Sequence, residues 1–327
     1  MTTQTSEATP APGPGGDLPS PPAPIVPDLT SAERHALAEQ HSLRPMGVRP
    51  PLLDYVRDVF SRWAFIRVLG TSTAYAKNQN NYLGQLWALL NPILNATVYV
   101  LVFGILLDAS RGVDNSIAFI VIGVFLFRFI DQSVHGGAQS IAKKTNLIRS
   151  LHFPRAVLPM SQVVSLLTTL VPTLVVMCAI VLLSGLVGSN EPIPVTWEWL
   201  LLPCIVALLW LFNTGLAFIM ARVVAITPDL DNIINFVMRF AMYGSGVIFP
   251  VTKYAEELPQ AAQAIVEPIL EYQPIGVFLY VARSILMQEE SFPPSGEMWL
   301  WAVGWAVVTL VVGFIVFWRG EERYGRD

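Results

Sequence analysis

Residues 157–187 read VLPMSQVVSLLTTLVPTLVVMCAIVLLSGLV, thirty-one positions without an Asp, Glu, Lys or Arg. At about 1.5 Å rise per residue, ~20 apolar residues cross the ~30 Å hydrocarbon layer of a bilayer, where a helix satisfies its own backbone hydrogen bonds. The run therefore decides the fold class. Working outward, further spans of comparable character lie near 86–107, 116–139, 197–221, 232–250 and 298–318. The whole chain agrees: of 327 residues 53% are apolar and 13% charged, with a mean hydropathy of +0.52. The reading is an all-α integral membrane protein with six transmembrane helices.

Six crossings put both termini on one side, and the basic residues say which. Fifteen Lys and Arg flank the spans on the side of the N-terminus, against Arg111, Lys253 and Arg283 on the other, with Arg128 and Arg239 inside spans. Cytoplasmic loops carry the basic excess, so both termini are expected in the cytoplasm and the protein in the plasma membrane. A net charge of −4 argues against a nucleic-acid partner. Cys178 and Cys204 both sit in apolar runs, which leaves no disulfide framework and no Cys-rich metal site. With no Gly-Lys pair the chain lacks a phosphate-cradling loop, so no cofactor is expected on it and ATP-driven work must come from a partner.

The flanks carry more. Residues 1–30 hold eight prolines and no Lys or Arg, the start of an expected disordered cytosolic tail over 1–50. From Pro51 a helical stripe begins. Leu52, Leu53, Val56, Val59, Phe60 and Trp63 share a face opposite Asp54, Arg57, Asp58, Ser61 and Arg62. Arg67 breaks that stripe, so the interface helix expected over 51–69 ends or changes partner after Trp63. A dozen apolar residues suit a helix lying along a membrane surface. Between the last two spans, residues 251–297 carry apolar patches near 258–269 and 274–286, each too short to cross. Glu256, Glu257, Glu267, Glu271, Glu289 and Glu290 surround them, and the pattern predicts two short re-entrant helices.

Two motifs are more specific. Asn81-Tyr82-Leu83-Gly84-Gln85-Leu86-Trp87-Ala88-Leu89-Leu90-Asn91-Pro92 opens the first span, and Asn146-Leu147-Ile148-Arg149-Ser150-Leu151-His152-Phe153-Pro154-Arg155 precedes the third. From residue 51 onward the chain resembles the permeases of ABC exporters for lipid-linked polysaccharides, the O-antigen and teichoic acid type. Among these, the actinobacterial exporters of cell-wall galactan share its Ala/Pro-rich tail. It departs from the family pattern at Gly246-Val247-Ile248-Phe249-Pro250, at Gln273-Pro274 and at Pro228-Asp229, so no site is carried over there.

The resemblance implies a homodimer, two copies of a nucleotide-binding ATPase that binds ATP and Mg, and a lipid-linked polysaccharide as substrate. The proline-bounded segment 143–159 then becomes the coupling element that docks on the ATPase, through Lys143, Lys144, Arg149, His152, Phe153, Pro154 and Arg155. A sliding glycan wants aromatic faces and a few polar groups at membrane depth. The conduit candidates are Tyr99, Phe103, Phe119, Phe125, Arg128, Phe129, Asp131, Tyr243 and Phe249. Arg128 and Asp131, three residues apart on a helix, are placed to neutralise each other. A diphosphate head group needs cations, for which Arg62, Arg67, Lys77 and Arg239 are the candidates. Two other functions compete. An efflux permease for small amphiphiles would want a less polar pathway. A membrane-embedded glycosyl- or phosphotransferase would need clustered acids or His, and within the spans only Asp131 and His135 come close. No internal symmetry suggests a secondary transporter.

Overall fold

The computed structural model describes residues 30, 32, 33, 37, 40, 50–77, 79, 82–106, 113–151, 153–186, 192–250 and 259–324. The chain divides into two units, Met1–Met46 and Gly47–Asp327. In the first, Ala32, Glu33, Leu37 and Gln40 are helical. The Thr30 hydroxyl and N–H both donate to the Glu33 carboxylate at 2.8 Å, and the Glu33 N–H donates back to Thr30 Oγ1 at 3.4 Å, the reciprocal pattern of a capping box. Within the tail expected to be disordered over 1–50, these four described residues are helical. Its proline-rich part lies outside the described residues.

In the second unit every regular element among the described residues is helical. The interface segment is two helices, α1 (Leu52–Ser61) and α2 (Trp63–Ala76), broken at Arg62, whose φ of −97° and ψ of 19° leave the helical region. The break falls where the stripe failed, but α2 runs beyond the expected end at residue 69. The reason is packing: Gly70 of α2 approaches the helix Val157–Ser184 so closely that a Cβ would sit 2.8 Å from the Ser161 carbonyl oxygen. α1 buries Tyr55 and Val59 and leaves Leu53 and Phe60 exposed, an apolar flank suited to a membrane surface.

The bundle follows as α3 (Leu86–Tyr99, with one π-helical stretch continuing to Leu106), α4 (Ser116–Ala138), the short α5 (Thr145–Ser150), α6 (Val157–Ser184) and α7 (Leu202–Ile226, entered through a 3-10 turn at Trp197–Leu201). Next come α8 (Leu230–Gly244), α9 (Gln260–Tyr272), α10 (Pro274–Leu286) and α11 (Gly296–Trp318), and a 3-10 turn follows at Glu321–Arg323. Five of these segments, Leu86–Phe103, α4, α6, Trp197–Ile226 and α11, are long and apolar enough to cross a bilayer, with α9 and α10 a pair bent by 67°. This is a multi-pass membrane protein. The span expected over 232–250 comes out shorter: α8 has 15 residues, about 22 Å, and ends in a turn where Gly246 takes a φ of +73°.

α4 is the most buried of the spans and α3 the least. Small residues set the helix spacing. A Cβ on Gly215 of α7 would lie 2.3 Å from the Thr309 carbonyl oxygen of α11, and one on Gly313 would lie 2.3 Å from the Gly215 carbonyl oxygen. The two backbones are therefore in contact, the way helices associate where lipid removes the hydrophobic drive. Gly137 of α4 meets Ala217 of α7 in the same fashion.

The region expected to hold two re-entrant helices divides unequally. Pro274 stops α9 and opens α10. α9 buries no residue, whereas α10 buries Val277, Phe278, Leu279 and every residue from Val281 to Leu286. Arg283, a loop cation by its place in the sequence, is thereby 4% exposed inside the bundle. Residues 251–258 lie outside the described residues.

Candidate functional site

Helices α3, α4 and α8 line an open-sided cavity of about 480 Å³. Its wall brings together Asn95 and Tyr99 of α3, Arg128, Asp131 and His135 of α4, and Asn235 and Arg239 of α8. Arg128 and Asp131 do not pair as their spacing suggests. Asp131 turns to His135, whose Nδ1 lies 3.4 Å from Asp131 Oδ1 and 2.9 Å from the Asp131 carbonyl oxygen. His135 Nε2 lies 3.0 Å from Asn235 Oδ1, which ties α4 to α8. The turn of helix separating residues 131 and 135 brings imidazole and carboxylate together, and Arg128 has no ion pair within 4 Å among the described residues.

The other conduit candidates separate. Phe103 stacks on Tyr99 with ring centroids 6.1 Å apart, and Tyr243 is exposed on α8. Phe119 is fully buried, and Phe249 packs half-buried against the core, so neither faces this cavity. Phe125 and Phe129 line a smaller cavity of about 70 Å³, bounded also by Lys77, Trp87, Asn91, Gln132 and Arg128. Of the four cation candidates, Lys77 and Arg239 each reach a cavity, whereas Arg62 and Arg67 are exposed on the interface helices and line neither. Burial, with the positive charges of Arg128 and Lys143, pulls Lys77 below the usual lysine value.

The segment expected to dock on an ATPase, residues 143–159, begins in a 3-10 turn at Ala142–Lys144 followed by α5. Lys143, Arg149 and Leu151 are exposed, while Leu147, Ile148 and Phe153 pack inward. The Phe153 ring meets Phe65 of α2 edge-on at 5.6 Å. Lys144 is half-buried, which lowers its pKa, and its Nζ has no hydrogen-bond partner among the described residues. His152 lies outside the described residues.

At the far end of this segment the structure holds a joint that sequence reasoning misses. The Tyr55 hydroxyl of α1 donates to Glu321 Oε2 at 2.7 Å and accepts from the Ala156 N–H at 3.1 Å. The Arg155 N–H donates to Glu321 Oε1 at 3.0 Å, and the Arg155 guanidinium donates to the Glu321 carbonyl oxygen. Half-buried Pro154 and Arg155 thus lead directly into a contact uniting α1, the stretch before α6 and the turn after α11. Tyr324 caps it, stacked on Phe317 at 4.7 Å with the Arg222 guanidinium 5.7 Å from its ring. The only hint in the sequence was an acidic pair, Glu321-Glu322, among the basic residues after the last span.

At the opposite end of α4, Arg283 makes a second unforeseen clasp. Its guanidinium donates to the carbonyl oxygens of Gly246 at 2.8 Å, Val247 at 3.0 Å and Phe119 at 3.1 Å, and lies 3.4 Å from the Phe119 ring centre. Glu289 completes this end by accepting from the N–H groups of Asn115 at 2.9 Å and Asp114 at 3.2 Å.

Over 271 residues, 83% of this chain and 98% of the relative, the sequence is 26% identical to the O-antigen export system permease protein RfbA of Myxococcus xanthus. The likeness is to O-antigen export permeases. Two proteins of the same description from Klebsiella pneumoniae are 21% identical over 209 residues, 64% of this chain and 74% of each relative. No family model matches the chain. These relatives are of the kind that the motifs at residues 81–92 and 146–155 resemble.

Proposed function

We propose that this chain is the permease subunit of an ABC exporter that moves a lipid-linked polysaccharide from the cytoplasm across the plasma membrane, with galactan on polyprenyl diphosphate as the substrate. One observation carries the reading: the length-wide likeness to an O-antigen export permease coincides with a polar, aromatic-edged cavity lined by α3, α4 and α8. Amide, carboxylate and guanidinium groups on membrane helices are costly, and their convergence supports a hydroxyl-rich cargo over an apolar drug. Both termini face the cytoplasm in this reading, which the excess of basic residues on that side supports. A second copy set against α3 and α8 would close the cavity into a conduit. Two ATPase subunits, which bind ATP and Mg, drive transport through the exposed face of the coupling segment.

Depletion of the protein should leave lipid-linked glycan accumulating on the cytoplasmic leaflet with its synthesis intact, measured by leaflet-selective glycan labelling. If depletion instead alters drug tolerance while glycan stays normal in amount and location, the chain is an efflux permease for small amphiphiles. The coupling role has its own test. Arg149→Glu reverses an exposed charge and should lower export at least tenfold per ATP hydrolysed, with the protein still inserted and folded. Unchanged coupling in Arg149→Glu and in Phe153→Ala would remove the docking assignment.

A further inference from the structure

α8 is tied to α4 by two hydrogen-bonded rungs one turn apart. His135 Nε2 lies 3.0 Å from Asn235 Oδ1, and Gln139 Nε2, at the end of α4, donates to Asp231 Oδ2 at 3.1 Å. Residue numbers rise along α4 as they fall along α8, so the two helices run antiparallel here. Positions four apart share a helix face, and the register of the made rungs therefore fixes the next one. It joins residues 131 and 239.

Those residues are Asp131 and Arg239, an acid and a base, and both belong to the wall of the 480 Å³ cavity. The rung is unmade. Asp131 leans along its own helix to His135, with Oδ1 3.4 Å from Nδ1, and among the described residues no ion pair within 4 Å joins it to the exposed Arg239. On the other side of the gap the Tyr99 hydroxyl donates to Met242 Sδ at 3.4 Å, which ties α8 to α3. The cavity thus sits where the ladder is open, between the His135–Asn235 rung and the Tyr99–Met242 contact.

The pieces that would close it are lightly held. Of the residues in α8 only Ile234 and Met238 are buried, while Phe236, Val237 and Phe240 are exposed, so few apolar contacts fix the helix where it stands. Arg239 has a long side chain. Rotation of two side chains with a small approach of α8 would complete the rung and leave the made ones intact. Arg128 also stands within one turn of Asp131, but on the same helix, so pairing with it would draw α8 no nearer. Opposite charges facing each other across a partly desolvated gap attract more strongly than they do in water.

We infer that Asp131 and Arg239 are the two halves of a gate: in a closed state the Asp131 carboxylate leaves His135 for the Arg239 guanidinium, completing the ladder across the cavity, and the structure shows the open state. A polar path that stayed open would leak ions, so the closed state is the resting one. The inference takes the cavity as part of the cargo path and to that extent rests on the export reading above. Its test needs neither cargo nor ATPase.

The test uses the purified full-length chain in phosphatidylcholine nanodiscs, with Cys178 and Cys204 replaced by Ala and a single reporter at Val124→Cys. Val124 is 5% exposed on the cavity wall, so its labelling by a water-soluble maleimide reads access to the cavity. Asp131→Asn and Arg239→Gln should each speed labelling at least threefold. The double variant should be no faster than either single one, because both remove the same contact. The charge swap Asp131→Arg with Arg239→Asp should return the rate to within twofold of the parent, which a merely structural role for either residue does not predict. Unchanged rates in both single variants, or effects that multiply in the double one, would overturn the gate. So would coupling of Asp131 to Arg128→Gln in the same cycle without coupling to Arg239→Gln. If the rates stay flat while depletion still strands glycan on the cytoplasmic leaflet, the gate falls and the export reading stands. Coupled rates with glycan normal after depletion keep the gate and overturn the export reading.

Discussion

Replacing Arg283 by Met should destabilise the protein by about 3–5 kcal/mol, since three buried carbonyls left without a donor cost roughly 1–3 kcal/mol each and removing a cation from the interior offsets part of that. Three main-chain carbonyls, those of Phe119, Gly246 and Val247, lose their guanidinium donor at once. Two of them belong to the turn after α8, whose carbonyls have no helix to bond within. Arg283→Lys should still cost about 2 kcal/mol or more, because one ammonium cannot fork to three oxygens while lying flat on the Phe119 ring. Gly123→Ala attacks the same clasp from the other side: its Cβ would sit 2.2 Å from the Val247 carbonyl oxygen and 2.7 Å from an Arg283 nitrogen. Thermal melting in mild detergent, followed by size exclusion, reads all three, with Arg239→Gln, an exposed cation, expected within about 0.5 kcal/mol of the parent. If Arg283→Met melts with the parent, the clasp contributes nothing and α10 is held by apolar packing alone.

Glu321 is the second large effect. Its carboxylate accepts from the buried Tyr55 hydroxyl and the half-buried Arg155 N–H, so Glu321→Ala leaves two donors without a partner at roughly 1–3 kcal/mol each. Glu321→Gln keeps one acceptor oxygen and turns its amide N–H toward the other donor, so it should cost about 1–3 kcal/mol, less than Glu321→Ala. The two variants also separate in pH dependence. Burial holds the Glu321 carboxyl above its ordinary value, outweighing the opposing hydrogen bonds from Arg155 and Tyr55. A carboxyl raised in the fold favours the protonated form there, so its contribution to stability is fully present below the unfolded value of 4.5 and is lost as pH rises through the folded one. The parent should therefore gain stability at this joint as pH falls from neutrality toward 4.5, and Glu321→Gln should remove that component. A parent and a Gln variant with identical pH profiles would show that the joint tolerates the ionised carboxylate at no cost. Because the joint unites α1, residues 155–156 and the turn after α11, Glu321→Ala should also loosen α1, seen as faster amide exchange at residues 52–61.

Much of this was legible from sequence. Hydropathy belongs to a stretch of chain and its solvent, so residues 157–187 could become only a membrane-length helix, here Val157–Ser184. Pro274 marked the start of α10, since proline fixes where a helix opens without reference to any neighbour. The break near Trp63 showed in the apolar stripe for the same reason, being a matter of phase along one helix.

Charges were another matter. Arg283 reads as a loop cation in sequence and is buried in the structure, because its partner Phe119 lies 164 positions away and its exposure depends on where α10 packs. Arg128 and Asp131 look like a pair at their spacing, yet the carboxylate prefers an imidazole held from the other side by Asn235, 100 positions distant. Tyr55 and Glu321, 266 positions apart, have no local signal at all. Periodicity and hydropathy sum over neighbours in the chain, so the sequence alone determined which segments are helical and apolar. Hydrogen bonds and ion pairs act over a few ångströms in space, and only the packing of α4 against α7, α8 and α10 decided which cations face a cavity and which hold the protein together.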